Sequence, residues 1–191
     1  MATNLGDNVF IDVEADEFRL SWIKFHKVRA SANGMDAQTS TDAGPPSFTV
    51  AVSGTDVVVT RVQGRVALNR THCWVVSGRE TNQLLEHEQG HYYITYIPYV
   101  LALQEIRKLT IPLARVHIPH GATQRARDQL MHNAITLQAR GVLSRSQATM
   151  TKLTREYDAT QPPGTDHSRN QPEQQRWNQR FATSLTMGTA L

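Results

Sequence analysis

"HCWVVSGRETNQLLEHEQGHYYI", residues His72 to Ile94, is where the chain changes its periodicity. Up to Val76 the apolar and β-branched residues read as a strand. From about Arg79 the spacing of Leu84, Leu85, Tyr92, Ile94 and Tyr96 suits a helix, with Thr81 placed to cap it.

Upstream of that change, "NVFIDVEA", "FRLSWIKFHKV", "SFTVAVSG", "DVVVTRVQGRVAL" and "HCWVVSG" are rich in Val, Ile, Thr, Phe and Trp and are expected as strands. Turn signals at Asn33-Gly34, Gly44-Pro45-Pro46, Ser53-Gly54 and Gln63-Gly64 separate them. Downstream, Pro98 either kinks the first helix or begins the next. A second helix is predicted over "GATQRARDQLMHNAITLQARG", from a Thr123 cap to a stop at Gly141. A third follows over "SRSQATMTKLTREYDATQ", with Ser144 and Gln147 as a capping box. "QPPGTDHSRN" is a loop, and a last helix carries Pro172 in its first turn. Strands first and helices afterwards predict an α+β fold: an N-terminal antiparallel sheet of about four to six strands, then a helical part carrying the His-Glu-x-x-His helix, in a zincin-like arrangement. The expected organisation is one domain over 1–191, mainly β from about 8 to 76 and mainly α from about 79 to 185. An exposed edge strand beside the site, supplied by "DVVVTRV" or "RVALNR", is expected to be able to pair with an extended substrate.

Composition narrows the function classes. Of 191 residues, 39% are hydrophobic and 19% charged, with a net charge of +3, which suits a globular domain with a polar surface. The arginines are dispersed and no basic run interleaves with aromatics, so no nucleic-acid partner is expected. No stretch reaches the roughly 18 apolar residues of a membrane span, and no signal peptide is visible at the start. Cys73 is the only cysteine, which leaves neither an internal disulfide nor a thiolate cluster for metal.

Inside the first helix stands His87-Glu88-Gln89-Gly90-His91. Side chains four apart share a helix face, so both imidazoles can meet one ion. Glu88, one step round, can reach a water held there and serve as general base. Eight histidines in 191 residues make an accidental pair conceivable. The full pattern is expected by chance only about 0.01 times in a chain of this composition, and it falls within a predicted helix. Zinc is the expected cofactor, with His87 and His91 as ligands.

Catalytic zinc needs a third protein ligand and an open position. After His91 comes "YYITYI", which rules out the short metzincin spacing. Glu105 stands at a thermolysin-like interval but reads as a surface charge. His117 and His120 lie in a Pro-punctuated connector, and His132 on a polar helix. His167 is the leading candidate, because its loop is dense in Asp, Thr and Gly and follows a helix end.

"LLEHEQGHYYI" followed by "YDATQPPGTDHSRNQPEQQRW" resembles the bacterial DUF922 family of predicted zinc-dependent proteases. "LSWIKFHKV" and "AQTST" are weaker matches, so the resemblance spans positions from about 20 to 177. The chain departs from the pattern in the extra residues "ATQPPGT" and in Ser168, which stands where the family has glycine. The resemblance implies hydrolysis of a protein or peptide substrate by zinc-activated water, with Glu88 taking the proton. It also supports His167 as third ligand, with Asp158 and Glu105 as alternatives. Tyr157, which opens the second block, becomes the candidate donor to the developing oxyanion. Asp158 and Asp166 are candidates to accept a hydrogen bond from a ligating imidazole. The family tends to be exported, and the expected route is cytoplasmic residence or leaderless export. Two other functions stay open: an inactive zinc-binding interaction module, and a zinc amidase acting on peptidoglycan.

Overall fold

The computed structural model describes residues 2–4, 9–12, 18–31 and 34–191. Among them are nine strands: β1 (Ala2–Asn4), β2 (Val9–Asp12), β3 (His26–Val28), β4 (Ala37–Gln38), β5 (Thr41–Ala43), β6 (Ser47–Ser53), β7 (Asp56–Leu68), β8 (Trp74–Val76) and β9 (Thr110–Pro112). Three α-helices complete the described residues: α1 (Asn82–Arg107), α2 (Gln124–Asp158) and α3 (Gln171–Met187). The fold is α+β, with every described strand except β9 preceding the helices, as the change of period at Arg79 predicts.

β7 organises the larger, six-stranded sheet. Its registers put β5 and β6 along one edge and β2 and β9 along the other. The sheet is mixed, because β2 runs parallel to β7 while the other pairs are antiparallel. A small second sheet joins β3, β8 and β4, with β3 and β8 parallel. "DVVVTRV" and "RVALNR" therefore belong to an interior strand, bonded on both sides, and not to an edge. Among the described residues the strand order of the large sheet ends in β1 on one side and in β5 on the other. A bulge between Thr49 and Val50 leaves Thr60 as an extra residue on β7. Burial accordingly switches from Val57 and Val59 to Val62, Val66 and Leu68, keeping one face toward the core.

Gly64 lies within β7 and makes no turn. A Cβ there would stand 2.5 Å from Leu103 Cδ1 and 2.6 Å from the Tyr99 hydroxyl, so glycine is what lets α1 press against the strand. Ser53-Gly54 does form the β6–β7 turn, with Gly54 at φ 60°. "FRLSWIKFHKV" gives a strand only at His26–Val28, preceded by a 3₁₀ turn at Trp22–Lys24. Asn33, and "NVFIDVEA" apart from 9–12, lie outside the described residues.

Thr81 caps α1, accepting from Leu84 N–H at 3.1 Å, and Pro98 sits within that helix without ending it. α2 is one helix of 35 residues, not two. Gly141 and Ser144 carry local stop and start signals, yet the buried stripe Met131, Ile135, Ala139, Val142, Ser146, Met150, Leu153 and Tyr157 runs through them unbroken. Packing along that stripe outweighs the roughly 1 kcal/mol that glycine costs inside a helix. Among the described residues no helix is long and apolar enough to cross a membrane.

Candidate metal centre

The second and third turns of α1 present His87, Glu88 and His91, and the last turn of α2 brings Tyr157 and Asp158 against them. Three donor atoms converge. His91 Nε2 lies 3.2 Å from His87 Nε2, and Asp158 Oδ1 lies 3.4 Å from the first histidine and 3.1 Å from the second. Donors on a tetrahedral ion with bonds of about 2.0–2.1 Å stand about 3.3 Å apart, so the triangle has the right size.

The chemistry of the donors fits as well. Thr165 is fully buried and donates its hydroxyl proton to the Tyr157 carbonyl at 2.7 Å. Its oxygen is left to accept from His87 Nδ1 at 3.0 Å, which assigns the ring proton to Nδ1 and turns a bare Nε2 lone pair toward the triangle. Burial holds the His87 pKa down, to about 4, so this ring is neutral at ordinary pH. His91 is pushed down by burial, but the Asp158 carboxylate more than compensates and its pKa is raised. Burial likewise opposes the charge of Asp158, yet the adjacent His87 and His91 rings hold its carboxyl well below the usual carboxylate range. Asp158 Oδ1 has no hydrogen-bond donor of its own. Lone pairs aimed at one point repel unless a cation lies between them. The His87, His91 and Asp158 group could therefore hold a metal ion.

Glu88 faces the neighbouring sector. It is 2% exposed, and burial raises its pKa against the opposing effects of His91 and Thr39. Its Oε2 is buried without a hydrogen-bond partner. Thr39 opens the segment that continues into β5, whose Thr41 hydroxyl bonds Thr95 of α1 at 2.6 Å. The strip of α1 carrying the motif thus runs between β5 on the Glu88 side and the 158–168 loop on the His87 side.

The remaining motif residues have structural work. Gln89 points to the far side, accepting from Leu20 N–H at 2.8 Å and donating to the Phe18 carbonyl at 3.2 Å. Gly90 leaves room for Tyr157, whose hydroxyl oxygen would lie 2.1 Å from a Cβ there. Tyr157 is not the oxyanion donor the sequence suggests. Its ring stacks on His87 at 4.6 Å and 6°, and its hydroxyl is bonded to the His87 carbonyl at 3.0 Å and to Gln174. Fully buried, it positions His87.

The third member of the donor triangle is Asp158, with His167 standing beside it. His167 Nδ1 is 4.0 Å from Asp158 Oδ1, and its ring meets that of His87 edge-on at 5.6 Å. Chain direction explains the substitution: α2 ends at Asp158 against α1, and the loop carries His167 on toward solvent, where it is 38% exposed. Asp166 pairs with Arg169 at 3.9 Å. Glu105 is an exposed partner of Arg145, four turns along α1 and about 21 Å from His91. His132 stacks on Phe48, and His117 and His120 are exposed outside the group.

Thr165 and Gln174 are contributions that sequence reasoning missed. Neither type is a ligand, and only the fold shows that they fix His87 and Tyr157. No family model, curated protein or solved structure matches the chain, which leaves the geometry of the site to carry its function.

Proposed function

We propose that the chain is a zinc-dependent hydrolase of peptide bonds, with His87, His91 and Asp158 as metal ligands and Glu88 as general base. One observation carries the reading: three protein donors converge at 3.1–3.4 Å beside a buried, unpartnered carboxylate oxygen. A site serving only stability has no use for that extra carboxylate and is normally closed by a fourth protein ligand. Two imidazoles and one carboxylate form a set that catalytic zinc accepts. When bound, the ion supplies a Lewis acid that makes water acidic near neutral pH and polarises a carbonyl.

The chain's own residues do the rest. Glu88, within reach of the donors, takes a proton from the attacking water and delivers it to the departing amine. Its burial suits the first half of that task, because a carboxylate whose pKa is raised is a stronger base while it is charged. β5 ends the large sheet, and its outer edge offers an extended peptide main-chain hydrogen bonds beside Glu88. Resemblance to the DUF922 pattern points the same way.

The test is elemental analysis of the purified protein together with cleavage of unfolded casein. Wild type should hold one zinc and cleave; Glu88→Gln should hold zinc with activity reduced at least about 100-fold. Retained cleavage in Glu88→Gln would overturn the mechanism.

A further inference from the structure

Asp166, His167 and Ser168 are three successive non-glycine residues with left-handed backbone, at φ 46°, 47° and 74°. Such conformations persist where surrounding structure imposes them, and they gather at functional sites. Here the turn is fastened on both sides. Asp166 N–H donates to the Ala159 carbonyl at 3.1 Å, Arg169 N–H to the Asp166 carbonyl at 3.0 Å, and Asn170 N–H to the Thr165 carbonyl at 2.9 Å. Gln171 holds the Ser168 carbonyl at 2.6 Å. The consequence is a fixed imidazole at the rim of the donor triangle, touching Asp158 and His87 but completing neither.

Hydrolysis at this site requires a hydrogen-bond donor for the carbonyl oxygen that becomes an oxyanion. Tyr157 is committed to the His87 carbonyl. Thr165 is committed to the Tyr157 carbonyl. His167 has no hydrogen-bond partner among the described residues, is accessible to a ligand, and stands beside Asp158 and His87. We propose that His167 is a further catalytic residue, donating an imidazole N–H to the scissile carbonyl oxygen while Glu88 handles protons. The proposal rests on the hydrolase reading given above and adds a role that metal ligation by His167 would preclude.

The experiment compares wild type, His167→Ala and His167→Gln, each loaded with Co(II). Three quantities are read: metal content, affinity for inorganic phosphate (a tetrahedral oxyanion) from the cobalt visible spectrum, and kcat and KM on casein. Expected for His167→Ala are full cobalt content, phosphate affinity about tenfold weaker, and kcat down about 10²–10³-fold with KM little changed. His167→Gln, which keeps an N–H donor, should recover part of both losses. Loss of cobalt from both variants would make His167 a ligand and overturn the proposal. Unchanged phosphate affinity and kcat would overturn it equally. Weakened phosphate binding in a wild-type background that never cleaves casein would support the His167 donor while sinking the peptidase reading.

Discussion

Gly90 has no room for a side chain. A methyl group there meets the Tyr157 ring at 2.1–2.8 Å, and that ring is stacked on His87. Gly90→Ala should cost about 1–3 kcal/mol of stability and weaken metal binding as well, since the displaced ring carries His87 with it. Thermal melts with and without zinc check both effects. Thr165→Val removes the acceptor that sets the His87 tautomer without changing a ligand. Metal affinity should fall about 10–100-fold while the fold survives, as calorimetric titration would show. Ser168→Gly acts in the opposite sense. At φ 74° the serine side chain opposes its own backbone, so glycine should leave activity intact and add about 1 kcal/mol in denaturant unfolding. The sequence shows His87, Glu88 and His91 because their geometry is contained within five residues of one helix. Asp158 was harder to rank first, because 70 residues separate its neighbour Tyr157 from His87 and only the angle between two helices selects among the nearby polar groups.

Elements reveal where local signals stop being decisive. Thr81 and Thr123 predict both long helix starts, since a cap is settled by a hydroxyl and the amide three residues on. The Gly141 stop and the Ser144 capping box are equally good local signals, yet α2 continues through them. Its buried stripe is a property of the docked helix, visible only when all eight positions are aligned on one face. Gly141 now stands mid-helix with only the Arg145 guanidinium near its Cβ position, at 3.8 Å. Gly141→Ala should therefore raise stability by about 0.5–1 kcal/mol, read as a higher denaturant midpoint at constant slope. Gly64 misleads in the same manner: read locally it is a turn, while in the sheet it is the point of closest approach to α1. The bulge at Thr60 was likewise hidden, because a parity change in a Val-rich run reads as continuous strand.

Taken whole, the molecule places a polar cluster at the junction of sheet, α1 and the α2 terminus, and its protonation is tied to folding. His87, near 4 in the fold against an ordinary 6.5, refuses a proton that the unfolded chain accepts. Between those values the unfolded state binds more protons, so stability falls as pH falls, by about 3 kcal/mol at most for this group alone. His91 acts oppositely, its raised pKa adding stability as pH drops toward 6.5. Glu88, raised by burial, takes up a proton on folding and opposes the His87 loss. The effect of His87 is therefore read in metal-free Glu88→Gln protein, whose stability should fall between pH 6.5 and 4 in urea titrations. A profile flat from pH 6.5 to 4 in that variant would contradict the buried neutral His87. Zinc at 1,000 times its dissociation constant should add about 4 kcal/mol at pH 7.5, and chelation should remove it. The α+β order of the chain was legible throughout. The mixed sheet was not, because which strands become neighbours depends on loops that carry no periodic signal.

The Tyr157–His87 stack has a consequence for the order in which the protein is made. A ribosome delivers both histidines and Glu88 well before it delivers the carboxylate. Until Asp158 arrives, the nascent chain offers two imidazoles four residues apart, too few donors to retain an ion in competition with the rest of the cell. The stacked tyrosine is the residue immediately before that carboxylate, so the contact that seats the second helix also completes the ligand set. Under the proposed function, metal capture would in this way wait until α2 has been made and docked on α1, and hydrolysis would wait with it.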